Sequence, residues 1–215
     1  MPLYFNIILI GIALLASLTA YFRHDSDIYL RLFPIFLLLS AIATSIGVWL
    51  NSQNKNNTSL YNLWSVVEFC FYFFCLYRII RKTLAKKIVF AILCVYPIIA
   101  YSNIFLIQKL TIFHSMTFSL GCLLVVGIGI YYFLELFQIS HSINLSRQPA
   151  FWICSGLLFF YACSFPIFGL ANFLRSLPHV IRTNLGTIID LLNVFLYSSF
   201  TIAFLCRLRT RKSMS

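Results

Sequence analysis

Apolar residues gather in long runs along this chain instead of alternating with polar ones. Seven mostly apolar runs can be read, at about 3–22, 29–50, 59–80, 88–107, 110–137, 150–174 and 184–206. A helix needs about 20 apolar residues to cross a hydrocarbon core of about 30 Å. The pattern therefore predicts an all-α, polytopic membrane protein, a seven-transmembrane-helix bundle making one integral membrane domain over residues 1–215. The fifth run exceeds what a bilayer needs, so it is expected to tilt or to project one end into water. The first run opens "MPLYFN", without the positive segment that begins a secretory signal, and is expected to stay as an uncleaved helix. The loops are short, and "NSQNKNNTS" is the clearest polar linker.

The interruptions inside these runs carry the chemistry. In "SLYNLWSVVEFCFYFFCLYRII" the one carboxylate is Glu68, with no Lys or Arg within nine positions on either side. A charge at mid-bilayer costs about 2.5–3.5 kcal/mol, so such an acid is kept from lipid, paired or neutral. At 1.5 Å per residue, Glu68 lies roughly 13 Å past the polar linker, near the midplane. On a helical period Tyr61, Ser65, Glu68 and Tyr72 share a face, bordered by Asn62 and Trp64, which makes an inward stripe. The seventh run has a second stripe, with Thr187, Asp190, Asn193, Tyr197 and Thr201 spaced by three, three, four and four. Asp190 and Asn193 fall at a depth close to that of Asn62 and Glu68. Glu68 and Asn193 meet if the third and seventh helices are neighbours.

Residues at the same level elsewhere are His114, Ser115 and Ser119 in the fifth run, Tyr161 and Ser164 in the sixth, and Asn103 near the end of the fourth. A polar-aromatic cavity between the third, fifth, sixth and seventh helices follows, open to the outer face. Its candidate residues are Asn62, Ser65, Glu68, Tyr72, His114, Ser119, Tyr161, Ser164, Asp190, Asn193 and Tyr197. The same side chains would serve as interhelical hydrogen bonds in a plain bundle. Glu135, near the inner end of the fifth run, reads as an anchor reaching interfacial water or a basic loop residue. Small residues four apart (Ala13 and Ser17, Ser40 and Thr44, Ala43 and Gly47) mark close-packing faces on the first two helices.

Composition agrees with lipid as the solvent. Hydrophobic residues make up 61% of the 215, charged residues 10%, and mean hydropathy is +0.91, whereas a soluble domain carries about 25% charged residues. The net charge of +11 would suggest nucleic acid in a soluble protein. Here the basic residues lie between and after the apolar runs, the pattern of positive-inside topology. With the N-terminus outside, twelve Lys and Arg fall on the inner side and Lys55, Lys109, Arg175 and Arg182 on the outer. The expected topology is N-terminus out and C-terminus in, with the tail "RLRTRKSMS" along an anionic inner leaflet and no nucleic-acid partner.

Several chemistries have no carrier in the sequence. The seven cysteines form no CxxC pair, and no HExxH, GxSxG, P-loop or GxGxxG occurs, so no catalytic residue, metal or cofactor is expected. The seventh run contains no Lys for a retinal Schiff base. The layout is similar to that of seven-helix receptors, yet the third run ends "FCLYRIIRK" without DRY or ERY, and the seventh has no NPxxY.

The strings "LYNLWSVVEF" and "PAFWICSGLLFFYACSF" resemble small seven-helix membrane proteins of Bacteroidota bacteria that have no established activity. They also resemble the membrane sensor portions of some histidine kinases from that group. That resemblance spans roughly residues 29–206. It implies a multi-pass protein of the bacterial cytoplasmic (inner) membrane; the chain stops at Ser215 without a kinase domain, so output would need a separate partner protein. Three readings follow. The first is a receptor or sensor binding a small or amphipathic ligand. The second is a proton-coupled carrier or intramembrane acid–base enzyme using Glu68 and Asp190. The third is a structural or accessory subunit. The lipid bilayer is the one partner common to all three, and the oligomeric state is open.

Overall fold

A computed structural model describes residues 4–22, 26–107, 110–138, 144–170 and 179–209. Its helices are α1 (Phe5–Ser17), α2 (Ile28–Ser52), α3 (Thr58–Ile79), α4 (Thr83–Ser102), α5 (Ser115–Phe137), α6 (Pro149–Gly169) and α7 (His179–Arg209), with no strand among the described residues. Six are long and apolar enough to cross a membrane: α2, α3, α4 with its continuation to Ile107, α5, α6, and Asn184–Cys206 of α7. The chain is a helical, multi-pass membrane protein. Arg23, His24, Lys109, His141, Arg175 and the tail beyond residue 209 lie outside the described residues, and with them part of the charge count on which the expected orientation rests.

The first run departs from expectation. Instead of a span over 3–22, α1 has 13 residues and passes into a 3-10 turn, Leu18–Ala20. At 1.5 Å per residue α1 is roughly 20 Å long, short of a bilayer core of about 30 Å. Hydroxyls compete with the backbone where it ends. Ser17 Oγ donates to the Leu14 carbonyl (2.7 Å), Thr19 Oγ1 to Ala16 (2.7 Å) and Ser26 Oγ to Ala20 (2.8 Å). Such local bonds offer the chain an alternative to the helical ladder.

The fifth run is also shorter than its hydropathy implied. Helix α5 begins at Ser115 and has 23 residues, so nothing in its length requires it to tilt or project. The surplus belongs to α7, whose 31 residues extend beyond 184–206 at both ends. Helix α4 starts earlier than 88 and ends in a π turn over Asn103–Ile107, downstream of Pro97.

Six helices close a ring. Helix α1 packs on α2, α2 on α3, α3 on α5, α5 on α6, α6 on α7, and α7 back on α1. Helix α4 stands outside it, against α3 and α5. At the end of the ring bearing the α3–α4 connection, the interior is filled with aromatic rings. Phe33 of α2 meets Phe200 and Phe204 of α7 at centroid distances of 5.0 and 5.4 Å, and Tyr72 of α3 meets Phe36 at 5.4 Å and Phe200 at 6.3 Å. Offset and edge-to-face pairs of this kind contribute about 0.5–1.5 kcal/mol beyond the area they bury.

At that same end Glu135 of α5 is buried and accepts the backbone N–H groups of Arg81 (3.1 Å) and Lys82 (2.7 Å), just before α4. It anchors the α3–α4 turn, as expected, by reaching two basic loop residues, and does so through their backbone groups.

Helices α6 and α7 approach each other closely. A Cβ built on Gly156 would sit 2.8 Å from Ser199 Cβ. Gly156→Ala should therefore push the two helices apart and destabilise the fold by about 1–3 kcal/mol, measured as a lower unfolding midpoint in detergent. An unchanged midpoint would show that the α6–α7 contact is looser than described.

Candidate functional site

The half of the ring opposite the aromatic plug is hollow. Several contacts bring its helix ends together. Asn57 Nδ2, just before α3, donates to the Gly47 carbonyl near the end of α2 (3.3 Å), and Ser59 Oγ to the Leu110 carbonyl before α5 (3.1 Å). Phe113 meets Phe168 near the end of α6 at 5.8 Å. Between them is a cavity of about 480 Å³, within the range of about 300–1,000 Å³ usual for small-molecule sites. Its lining comes from all six ring helices and the segment before α5: Asn6 and Ile10 of α1, Ser40 and Thr44 of α2, Asn57 and Thr58, Tyr61, Trp64, Ser65 and Glu68 of α3, Phe113 and Phe118, Phe160, Tyr161 and Phe168 of α6, and Ile189, Asn193 and Tyr197 of α7.

Glu68 lies at the boundary between hollow and plug. The phenol of Tyr72 donates to Glu68 Oε1 at 3.1 Å and that of Tyr161 to the same oxygen at 3.3 Å. Tyr72 is one helical turn on from Glu68, so the local period alone aligns the pair. Tyr161 reaches across from α6, and its ring centroid is 5.8 Å from that of Tyr72. Both tyrosines are fully buried. The second oxygen, Oε2, accepts no hydrogen bond from the described residues, while Glu68 itself lines the cavity. The carboxyl group is thus held by one oxygen and presents the other.

A second polar cluster ties α3 to the start of α5. Ser65 Oγ is 2.7 Å from His114 Nε2, and His114 Nδ1 is 2.7 Å from Thr117 Oγ1. The fully buried Asn62 donates from Nδ2 to the carbonyls of Leu110 (3.1 Å) and Ile112 (2.8 Å), and its Oδ1 accepts the His114 N–H (3.3 Å). Residues 110–114 are not helical, and irregular backbone at membrane depth survives only where protein groups satisfy it. Asn62 meets that need here.

The candidate residues read from the sequence divide accordingly. Ser65, Glu68, Tyr161, Asn193 and Tyr197 line the cavity, and Tyr72 supports Glu68 from below. Asn62 and His114 hold the start of α5. Asp190 accepts from Asn6 Nδ2 of α1 at 3.0 Å and is not a lining residue, so the placement gives no support to a site shared by Glu68 and Asp190. Helices α3 and α7 both face the cavity, yet the bonds to Glu68 come from α3 and α6, not from Asn193.

Ser119 and Ser164 are sealed in the bundle, their hydroxyls without a hydrogen-bond partner among the described residues. Asn103 is buried in the π turn of α4, away from the lining.

Sequence reasoning missed Asn6, Ser40 and Thr44, because the first two helices were given only a packing role. Ser40 and Thr44 do form a face of small residues, but that face makes room for the cavity. The phenylalanines at 113, 118, 160 and 168 carried no signal that would separate them from core. Asn6 did carry one, as the only amide in its apolar run.

No protein-family model, curated protein or solved structure matches this chain.

Proposed function

We propose that this chain is a seven-helix membrane protein of receptor or sensor type, binding a small or amphipathic ligand in the cavity within its ring. One observation carries the reading: a hollow of about 480 Å³ that ends on a carboxyl group held through a single oxygen. A bundle needing only interhelical glue has no use for that volume, because interiors otherwise pack to crystal-like density. In this reading α1 counts as the seventh span, the N-terminus faces outward, the cavity opens to the outer face, and the membrane is the bacterial cytoplasmic one. The bonds from Asn62 and Ser65 to the segment before α5 give a route by which a ligand against α3 changes helix packing. A separate partner protein then carries the output.

Filling the cavity from α2 tests the proposal. The wild type and a Ser40→Phe/Thr44→Phe variant would be purified from the native membrane, and their bound small molecules compared by mass spectrometry. The wild type should carry at least one compound that the filled variant lacks. Identical extracts from two equally folded proteins would overturn the reading.

A further inference from the structure

We infer that the cavity takes an organic cation with an apolar body, an amine or quaternary ammonium compound, seated with its positive charge beside Glu68 Oε2. The inference rests on the ligand-cavity reading above and adds the chemical class. Charge is the first argument. Among the described lining residues Glu68 is the one carboxylic acid, and none is Lys, Arg or His. An anion would meet no counter-charge among these described residues. A cation would meet one.

The hydrogen bonds point the same way. Both phenols donate to Glu68 Oε1, and donors of this kind hold negative charge in place. They leave Oε2 as the acceptor that faces the hollow. The walls supply the remainder. Eight of the eighteen described lining residues are aromatic, with Trp64 on the helix of Glu68, Phe118 on the neighbouring α5, and Phe160 and Tyr161 on α6. Ring faces attract an ammonium group within about 6 Å of the centroid, more strongly where water is excluded. A bare metal ion is a poor fit, because one carboxylate among aromatic rings does not make a coordination shell. Ile10, Ile189, Phe113 and Phe168 line the space left for an apolar body.

Trp64 reports occupancy directly if Trp49 and Trp152 are replaced by Phe. In lipid nanodiscs this protein would be titrated with benzyltrimethylammonium, with its neutral isostere neopentylbenzene and with benzenesulfonate. The ammonium probe should quench Trp64 saturably and bind tightest of the three. Glu68→Gln should weaken it by about tenfold or more, while binding of neopentylbenzene stays unchanged. If neopentylbenzene binds as tightly as the ammonium probe to the unsubstituted site, the cation inference is overturned and the cavity reading stands. That comparison holds even if Glu68→Gln fails to fold. If none of the three probes changes Trp64 fluorescence, both inferences fall together.

Discussion

Asn62→Leu should destabilise the protein by roughly 2–5 kcal/mol, although it replaces a polar residue with an apolar one inside a membrane bundle. The amide makes three hydrogen bonds to the segment before α5. Leu110 keeps a donor in Ser59, so its carbonyl survives the change. The Ile112 carbonyl and the His114 N–H lose the bonds that Asn62 supplies, and each buried orphan costs about 1–3 kcal/mol. Leucine keeps the branched skeleton of asparagine, and its extra bulk at this fully buried position adds to the loss. Two readouts would establish the effect: a lower unfolding midpoint in mixed micelles, and faster amide hydrogen exchange confined at first to residues 110–117. A variant that melts like the wild type would mean that the Asn62 bonds do not hold the start of α5.

Phe33→Ala is expected to be comparably damaging, for a different reason. Phe33 is fully buried and touches Phe36, Phe71, Phe200 and Phe204 at 5.0–6.1 Å between centroids. In water much of a Phe→Ala penalty comes from transfer, but lipid is as apolar as the side chain, so that part shrinks. The unfilled space remains. A void on the order of 100 Å³ at about 24 cal/mol per Å³ costs about 2–3 kcal/mol. Chemical unfolding in mixed micelles should show that loss, and Phe33→Leu should recover a good part of it. A loss under about 0.5 kcal/mol would mean that the rings are not packed as one layer.

Side-chain period made the α3 face legible: Glu68 and Tyr72 point inward together because they are one turn apart, whatever lies opposite. Depth made Tyr161 and Asn193 legible, since residues at one level can face one space. Neighbour relations were not legible. Asp190 looked like a partner for Glu68 at similar depth, yet the helix beside it is α1, and Asn6 takes its carboxylate. Nothing in either segment encodes which helices touch.

The non-helical stretch 110–114 was hidden for a related reason. Hydropathy reports what surrounds a residue and is blind to its hydrogen-bond pattern. Apolar residues there were read as helix, while the bonds that make the irregular backbone tolerable come from Asn62, about fifty positions earlier. Likewise, the small residues Ser40 and Thr44 permit either a close helix contact or an empty volume, and only the positions of α1, α3 and α7 select the second.

The layer formed by Phe33, Tyr72, Phe200 and Phe204 has an electrical consequence. Packed rings admit neither water nor ions, so whenever water fills the cavity a voltage across the bilayer falls mostly over that layer. Moving one elementary charge through 100 mV exchanges about 2.3 kcal/mol. A charge that stops beside Glu68 has not yet crossed the insulating part and exchanges only a small share of that energy. A carboxyl group at the edge of such a layer stands on the cavity side of the voltage drop.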